Sequence, residues 1–333
     1  MPIKKSALKP RLAEVGKIKI GGKGKEQTSK NGKKFRIPQK YDHFVITTTE
    51  RDGNGNYIED GTIMDALGGT PREIPVRFLF DDINMNFFTE FQFYSGRKLC
   101  CRGDGEVAVR TFQKAGKQTL PFEDGDNEIE VSEGQSVKIV CDPDTCPIFQ
   151  DTKCKPSGIL SAVIPQSMEL GGVYRFRTHS WNSISSIMAA LEFFASQTKG
   201  ILTGLPLKLK MVKKTTEEHG TIDYVTVVLD GLELSEMRTK ALEEFRNREQ
   251  LGIEMLMIEQ KARDMGFMED TDEPEDVAEE YYPDAPPPRR KVKGVTASDL
   301  SDKLDEQVQD VETEPEPELV DDEDSVSEQE VLF

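Results

Sequence analysis

Long apolar runs are missing from this 333-residue chain. Hydrophobic residues make up only 36% of it, which is low for a fully packed protein. No run approaches the roughly eighteen residues of a membrane-spanning helix, and the lysine-rich N-terminus lacks the apolar segment of a secretory signal peptide. We therefore expect a soluble, cytoplasmic protein with no membrane partner, part of which is too polar to fold.

Familiar catalytic motifs are also missing. The three histidines show no i, i+4 pairing, and the chain contains no Gly-x-Ser-x-Gly elbow and no Cys/His dyad spacing. Acidic pairs in predicted turns would suit Mg²⁺, but aspartate is also a preferred turn residue. These acidic residues are Asp81, Asp82, Asp104, Asp142 and Asp144. We predict no catalytic residues, and a metal-dependent hydrolase ranks third among the functions considered.

Cysteines are few, odd in number and clustered, which argues against a disulfide framework. Cys141, Cys146 and Cys154 lie within fourteen residues in a turn-rich loop, and Cys100 and Cys101 lie about forty residues upstream. This pattern predicts a structural Zn²⁺ site. An iron–sulfur cluster and unligated thiols remain alternatives.

The predicted zinc ligands are Cys101, Cys141, Cys146 and Cys154, with Cys100 or His179 as an alternative ligand. Adjacent Cys100 and Cys101 are not expected to bind one ion together. His179 also fits a hydrogen-bonded structural residue or a residue in a groove at a strand end. Four protein ligands leave no open coordination position, so the metal would join distant segments rather than catalyse a reaction.

Charge is unevenly distributed along the chain. Residues 1–40 carry 13 Lys and Arg against 2 acids, whereas residues 269–333 carry 24 acids against 5 bases. The C-terminal segment is also rich in proline and poor in large apolar residues, a composition that does not offset the entropy of ordering. We predict a basic N-terminal arm over residues 1–14 and a disordered acidic tail over residues 266–333.

The basic front of the chain suits a nucleic-acid backbone, because lysine and arginine neutralise phosphates. A solubilising arm balanced by the acidic tail is the alternative. The candidate nucleic-acid-binding residues are Lys17, Lys19, Lys23, Lys25, Lys33, Lys34, Arg36 and Lys40.

Hydrophobic periodicity between the two ends predicts an α+β body over residues 15–233, with mixed or antiparallel sheets and a few helices. Strands are predicted at 15–20, 43–48, 73–80, 87–94, 159–164, 173–178, 205–211 and 222–229, with helices at 62–67 and 182–197. The first two strands and the last two are expected to form hairpins. A long, imperfectly amphipathic helix is predicted within 234–265, packing on the body or docking a partner helix.

The acidic tail ends in an apolar tip. Its sequence resembles the aromatic-ended tails of bacterial and phage single-strand-binding proteins. It also resembles the Gln-x-x-Leu-Phe peptides that dock in sliding clamps, matched here by Gln329, Leu332 and Phe333. A chance ending is the alternative, and a sliding clamp is the partner that the match implies.

Several segments within 16–234, taken in their order along the chain, resemble the phage recombination directionality factor-like family. Members of this family are the excision partners of large serine integrases. The segments are GKIKIG at 16–21, FVIT at 44–47, ALGG at 66–69, a cysteine before Asp104-Gly105, Cys141, Cys146, CKP at 154–156, and GVYRF at 172–176 leading to Thr178-His179.

The resemblance implies a non-catalytic protein of the bacterial host cytoplasm that binds a serine integrase and biases it toward prophage excision. DNA would be contacted directly or through the integrase. The alternative is a replication or repair accessory protein that binds single-stranded DNA and recruits partners through its tail.

Overall fold

A computed structural model describes residues 12–22, 26–28, 34–36, 39–53, 56–95, 98–167, 171–216 and 220–265. The predicted acidic tail and its tip residues Gln329, Leu332 and Phe333 lie outside these residues, as does nearly all of the basic arm. No helix of the described part combines the length and apolarity needed to cross a membrane.

The described residues form sixteen strands and six helices in a mixed α+β arrangement. The strands are β1 (Ala13–Gly22), β2 (Glu26–Thr28), β3 (Lys34–Arg36), β4 (Gln39–Arg51), β5 (Tyr57–Glu59), β6 (Glu73–Val76), β7 (Phe87–Ser95), β8 (Lys98–Gly103), β9 (Val107–Thr111), β10 (Gly116–Phe122), β11 (Gly125–Val131), β12 (Ser136–Val140), β13 (Cys154–Ala162), β14 (Gly172–Thr178), β15 (Leu207–Thr216) and β16 (Gly220–Leu229). The helices are α1 (Gly61–Ala66), α2 (Ile83–Asn86), α3 (Pro147–Gln150), α4 (Trp181–Gln197), α5 (Leu234–Leu251) and α6 (Met255–Asp264).

The largest sheet has nine strands in the order β12-β9-β8-β7-β13-β14-β1-β4-β5. Neighbouring strands are antiparallel except β1 and β14, which are parallel. The predicted hairpin of the first two strands is confirmed, since β1 pairs antiparallel with β4. Ile18 pairs with both Ile46 and Phe176, and all three are buried, so this row faces the core.

The main core lies between this sheet, the helix α4 and a three-stranded sheet of order β16-β15-β6. The predicted hairpin of β15 and β16 is confirmed. Helix α4 has the predicted spacing of apolar residues, and Ile184, Ile187 and Leu191 are buried along one face. The Ser180 side chain accepts a hydrogen bond from the Ser183 N–H and caps its first turn.

A second, smaller core lies at the other end of the chain's large sheet, where the sequence predicted no strands. It belongs to β9–β12 and is built from Ala108, Phe112, Leu120, Val131 and Ile139. The partly buried Cys101 and Cys141 pack against it. The candidate metal ligands therefore lie beside the smaller core.

The single long helix predicted within 234–265 is replaced by two helices, α5 and α6. Gly252 ends α5 in the left-handed conformation, with φ of 66°, which glycine adopts without steric cost. Both helices pack on the body: Arg248 pairs with Asp81, and Arg263 with Asp82. The buried Glu259 carboxylate accepts hydrogen bonds from the backbone N–H groups of Asp81 and Asp82.

Candidate functional site

Cys101 and Cys154 lie in one row across the large sheet. Phe93 pairs with Cys101 of β8 on one side and with Cys154 of β13 on the other. Side chains of directly paired residues lie on the same face of a sheet. The two thiols therefore share a face, with Phe93 between them and Arg110, which pairs with Cys101, beyond.

The loop between β12 and β13 supplies the other two thiols. Cys141 directly follows β12, and its backbone N–H extends the ladder to the Glu106 carbonyl oxygen at 2.9 Å. Its Sγ occupies space that exists because residue 103 is glycine: a Cβ on Gly103 would lie 2.8 Å from that sulfur. The Cys141 thiol is thus held over the same strand that carries Cys101.

A tight turn connects Cys141 to Cys146. The Asp142 carboxylate accepts hydrogen bonds from the Asp144 N–H at 3.0 Å and the Thr145 hydroxyl at 2.8 Å, and the Cys146 N–H donates to the Asp142 carbonyl at 2.8 Å. Cys146 then precedes α3, whose first residue, Pro147, suits the first turn of a helix. The turn folds Cys146 back toward Cys141.

All four thiols line one small cavity of about 20 Å³. The rest of its wall is mostly aromatic and aliphatic, with Phe91, Phe93, Ile139 and Phe149 among its members, and Arg110 is the charged residue in the lining. This volume is about that of one water-sized sphere. The cavity could thus accommodate a single ion among the sulfur atoms.

Burial makes these thiols hard to ionise when no cation is present. It raises the pKa of Cys101 and Cys141, and it raises the pKa of Cys154 to about 12. The neighbouring thiols add to the rise for Cys154, because several negative charges in one cavity repel one another. Arg110 acts in the opposite direction on all three.

Arg110 has an incomplete set of partners. It pairs with Cys101 across the strands and acts to lower the pKa of that thiol, while its buried Nε atom has no hydrogen-bond partner. Among the residues that the structure describes, Arg110 forms no ion pair with a carboxylate. A guanidinium beside neutral thiols is poorly compensated, whereas thiolates would balance its charge. The sequence reasoning missed Arg110, because only strand pairing brings it to Cys101.

The two alternative ligands lie elsewhere. Cys100, next to Cys101 on its strand, points to the opposite face, where Gln113 Nε2 donates to its sulfur at 3.0 Å. His179 is half-buried, and its Nδ1–H donates to the Pro156 carbonyl oxygen at 2.6 Å. Burial lowers the pKa of His179 to about 4, so the ring is neutral at pH 7. Neither residue lines the cavity.

The four thiols line the cavity, but they do not form a ready metal site in the described part of the chain. Across the described part of the chain, no three His, Cys, Asp or Glu side chains are placed so that they could hold a metal ion as they stand. The structure therefore brings Cys101, Cys141, Cys146 and Cys154 to one cavity, and metal binding stays a prediction.

Beside the cavity lies an exposed tryptophan, the only one in the sequence. Trp181 is 52% exposed, and its ring lies 5.8 Å from that of Phe91, which in turn packs edge-on against Phe149 of α3. Both phenylalanines line the thiol cavity. Trp181 also borders a shallow surface pocket of about 400 Å³ with Lys214 and Tyr224.

Residues 15–235 match the model of the Gp3-like family, described as recombination directionality factor-like. The match spans about two thirds of the chain. The protein belongs to this family. Comparison with curated proteins and with solved structures gives no match. The resemblance inferred from ordered motifs is confirmed.

The Gp3-like match runs from β1 to the first residues of α5. It includes the four thiols, Arg110 and Trp181, whereas nearly all of α5 and α6 lies beyond it.

Several basic residues predicted to bind nucleic acid fall outside the described residues or have only their backbone described. Lys23, Lys25 and Lys33 belong to the first group, and Lys34 and Arg36 of β3 to the second.

The remaining basic residues differ in their surroundings. Lys40 is exposed. Lys17 is only 6% exposed, its Nζ donates to Glu14 at 2.5 Å, and it lies over the Tyr57 ring. Lys19 also lies near this ring, 5.7 Å from its centroid.

The aspartates considered as Mg²⁺ ligands make hydrogen bonds and ion pairs within the fold. Asp81 accepts hydrogen bonds from the Leu202 and Thr203 N–H groups, each at 3.0 Å, and pairs with Arg248. Asp82 caps α2. Asp104 accepts from the Glu106 and Val107 N–H groups, and Asp142 holds the turn described above. These contacts fit the structural interpretation of the carboxylates.

Proposed function

We propose that this protein binds a serine integrase and biases it toward prophage excision without catalysing a reaction itself. The observation that carries the proposal is the family match over residues 15–235. An excision bias needs only a difference in binding free energy between two synaptic complexes, typically about 1–3 kcal/mol. A binding surface is therefore sufficient for the proposed function.

Trp181 marks the surface that we expect the integrase to contact. It lies within the matched region, it is half exposed, and Phe91 supports its ring. Tryptophan and tyrosine are enriched among the residues that contribute most to protein interfaces. The neighbouring Tyr224 and Lys214 add an aromatic ring and a charge to the same shallow pocket.

The experiment is recombination in vitro with the purified full chain and its cognate serine integrase. We expect the protein to promote recombination between attL and attR sites and to inhibit recombination between attP and attB. If neither reaction changes, the proposal is wrong. Binding to the integrase in the absence of DNA is measured in parallel, to separate direct contact from contact through DNA.

A matched pair of variants tests the surface. We expect Trp181→Ala to weaken integrase binding about tenfold or more, as loss of an interface hot spot does. Phe193→Ala is the control, because Phe193 is an exposed aromatic residue of the same helix, 49% exposed, that does not border the pocket. Equal effects of the two substitutions would exclude this surface. Circular dichroism verifies that both variants fold.

Direct DNA contact is a separate question, since DNA could be reached through the integrase. A gel shift with attL duplex and with a single-stranded oligonucleotide, without integrase, separates the two routes. Salt-sensitive binding lost on Lys40→Gln would favour direct contact.

The replication role and the sliding clamp partner rest on Gln329, Leu332 and Phe333 and stay predictions. Retained clamp binding after removal of these residues would contradict the clamp prediction.

A further inference from the structure

We propose that Cys101, Cys141, Cys146 and Cys154 bind one zinc ion through their four sulfur atoms, and that Arg110 offsets the charge of this centre. The inference rests on the geometry of the cavity. It is independent of the proposed function, because a structural zinc site would persist whatever partner the protein binds.

The topology of the chain explains why a metal is needed here. The strands β12 and β13 lie on opposite sides of β9, β8 and β7, so residues 141–153 must cross to β13 past three strands. This connection contains one four-residue helix, α3, with no fully buried residue. Three of the four thiols belong to the connection or directly follow it, and Cys101 belongs to one of the strands that is crossed. A shared ion would therefore fix the connection to the sheet.

Charge balance supports the same conclusion. Each thiol loses its proton to solvent when it binds Zn²⁺, so four thiolates and one ion carry a net charge of −2. Arg110 contributes +1 next to Cys101, its partner across the strands, and its buried Nε–H would find an acceptor in a thiolate. Without an anion in the cavity, both the guanidinium and that N–H group would lack compensation.

Two other uses of the thiols fit less well. Cys101 and Cys154 are separated by β7, which places their Cα atoms about 10 Å apart, beyond the roughly 7 Å limit for a disulfide. Zinc holds sulfur atoms roughly 4 Å apart, at about 2.3 Å from the ion, and so spans more. An iron–sulfur cluster contains several atoms, whereas the cavity of about 20 Å³ suits one ion.

Metal analysis of the purified full chain is the first test. We expect one zinc per chain by mass spectrometry of the metals, and near-complete loss in Cys146→Ser. Cys100→Ser is the matched control, because Cys100 is a neighbouring buried thiol on the other face, and it should retain the zinc. Absence of bound metal in protein purified with zinc, the visible absorbance of an iron–sulfur cluster, or equal loss in both variants would overturn the proposal.

Cobalt substitution tests the ligands without any mutation that might prevent folding. Co²⁺ added to the metal-free full chain should give the intense d–d absorption of a tetrahedral site together with sulfur-to-metal charge-transfer bands. Titration should end at one equivalent, and zinc should displace the cobalt. A weak octahedral spectrum, or no saturation near one equivalent, would contradict a tetrathiolate site.

Trp181 provides an internal reporter, since it is the only tryptophan and contacts Phe91 of the cavity wall. Removing zinc with a chelator should shift its fluorescence emission, and adding zinc back should restore it. Cys100→Ser should behave like the unaltered chain. Emission that does not respond to the chelator in zinc-loaded protein would show that the ion lies elsewhere.

Arg110 is tested by substitution and rescue. We expect Arg110→Gln to weaken zinc binding by about tenfold to a hundredfold, as loss of a hydrogen-bonding partner of a metal ligand does. Arg110→Lys keeps the charge and should recover part of the affinity. Arg102→Gln is the control, because Arg102 is the adjacent arginine of β8 and lies near Glu90 instead. Unchanged zinc affinity in Arg110→Gln would remove Arg110 from the proposal.

Discussion

At the scale of single residues, Glu14 joins the parallel strands β1 and β14. Its carboxylate accepts hydrogen bonds from Arg177 at 2.7 and 3.2 Å and from Lys17 at 2.5 Å. Burial would raise its pKa, but Arg177 and Lys17 outweigh burial and lower the pKa to about 2. The carboxylate is therefore ionised in the folded protein even in mild acid.

This shift predicts how stability depends on pH. A folded pKa near 2 against an ordinary 4.5 corresponds to about 3 kcal/mol of stability. That contribution is complete above pH 4.5 and is lost as the pH falls through 2. We expect Glu14→Gln to lower the free energy of unfolding by about 3 kcal/mol at pH 7, since it removes the negative charge that Arg177 and Lys17 contact.

Urea denaturation at pH 7 and pH 3 measures this effect. The difference between the unaltered chain and Glu14→Gln should be clearly smaller at pH 3. Glu50→Gln is the control, because Glu50 is an exposed residue of β4, and it should change stability little at either pH. A pH-independent difference for Glu14→Gln would contradict the role of its charge.

At the same scale, the sequence identified the four thiols but not their partners. Cysteine content and turn residues are local signals, so spacing alone pointed to a shared site. Alternation along β8 places one thiol on each face, so Cys101 lines the cavity and Cys100 does not. Arg110 and Gly103 left no signal, because their role depends on strand register and on close contact between distant segments.

At the scale of elements, hydrophobic periodicity predicted the strands and the helix that surround the main core. The hairpins and α4 have regular apolar spacing because one face of each is buried. The strands β9–β12 were not predicted, because their apolar residues cover a small core and are interleaved with many charged ones. Gly252 is the local signal for the break between α5 and α6. The helical pattern continues on both sides of this glycine, so the sequence predicted a single helix.

The docking of α5 on the body gives a prediction at this scale. Asp81 accepts two backbone hydrogen bonds through Oδ1, while Oδ2 faces Arg248 at 2.5 Å. Asp81→Asn can keep the first pair of contacts but replaces the charge that meets Arg248. We expect α5 to lose about 1.5–3 kcal/mol of docking free energy, the range for a hydrogen bond to a charged group.

Hydrogen exchange followed by mass spectrometry detects this loosening. Amides of α5 and α6 should exchange roughly ten times faster or more in Asp81→Asn, while those of β14 should not change. Asp65→Asn is the control, since Asp65 is an exposed residue of α1. Unchanged exchange in α5, or equal acceleration throughout the protein, would show that Asp81 does not hold these helices.

At the scale of the whole molecule, two cores of unequal size share the large sheet. The main core includes residues of the nine-stranded sheet, of the three-stranded sheet and of α4, whereas the smaller core contains five buried residues. A small core buries little apolar surface and usually needs a cross-link or a metal to be stable. The thiol cavity lies at the smaller core, where such support contributes most.

This arrangement predicts that the two ends of the large sheet open separately. Leu120 is fully buried in the smaller core and Leu191 in the main core, so each Leu→Ala change should cost about 2–5 kcal/mol locally. We expect Leu120→Ala to speed amide exchange in β9–β12 and to leave β1, β4 and β14 protected. Leu191→Ala should instead lower the protection of the main core.

Zinc removal should reproduce the Leu120→Ala pattern, because the ion would secure the same strands. If Leu120→Ala accelerates exchange uniformly, the protein opens as one unit, and the smaller core has no separate stability for a metal to support.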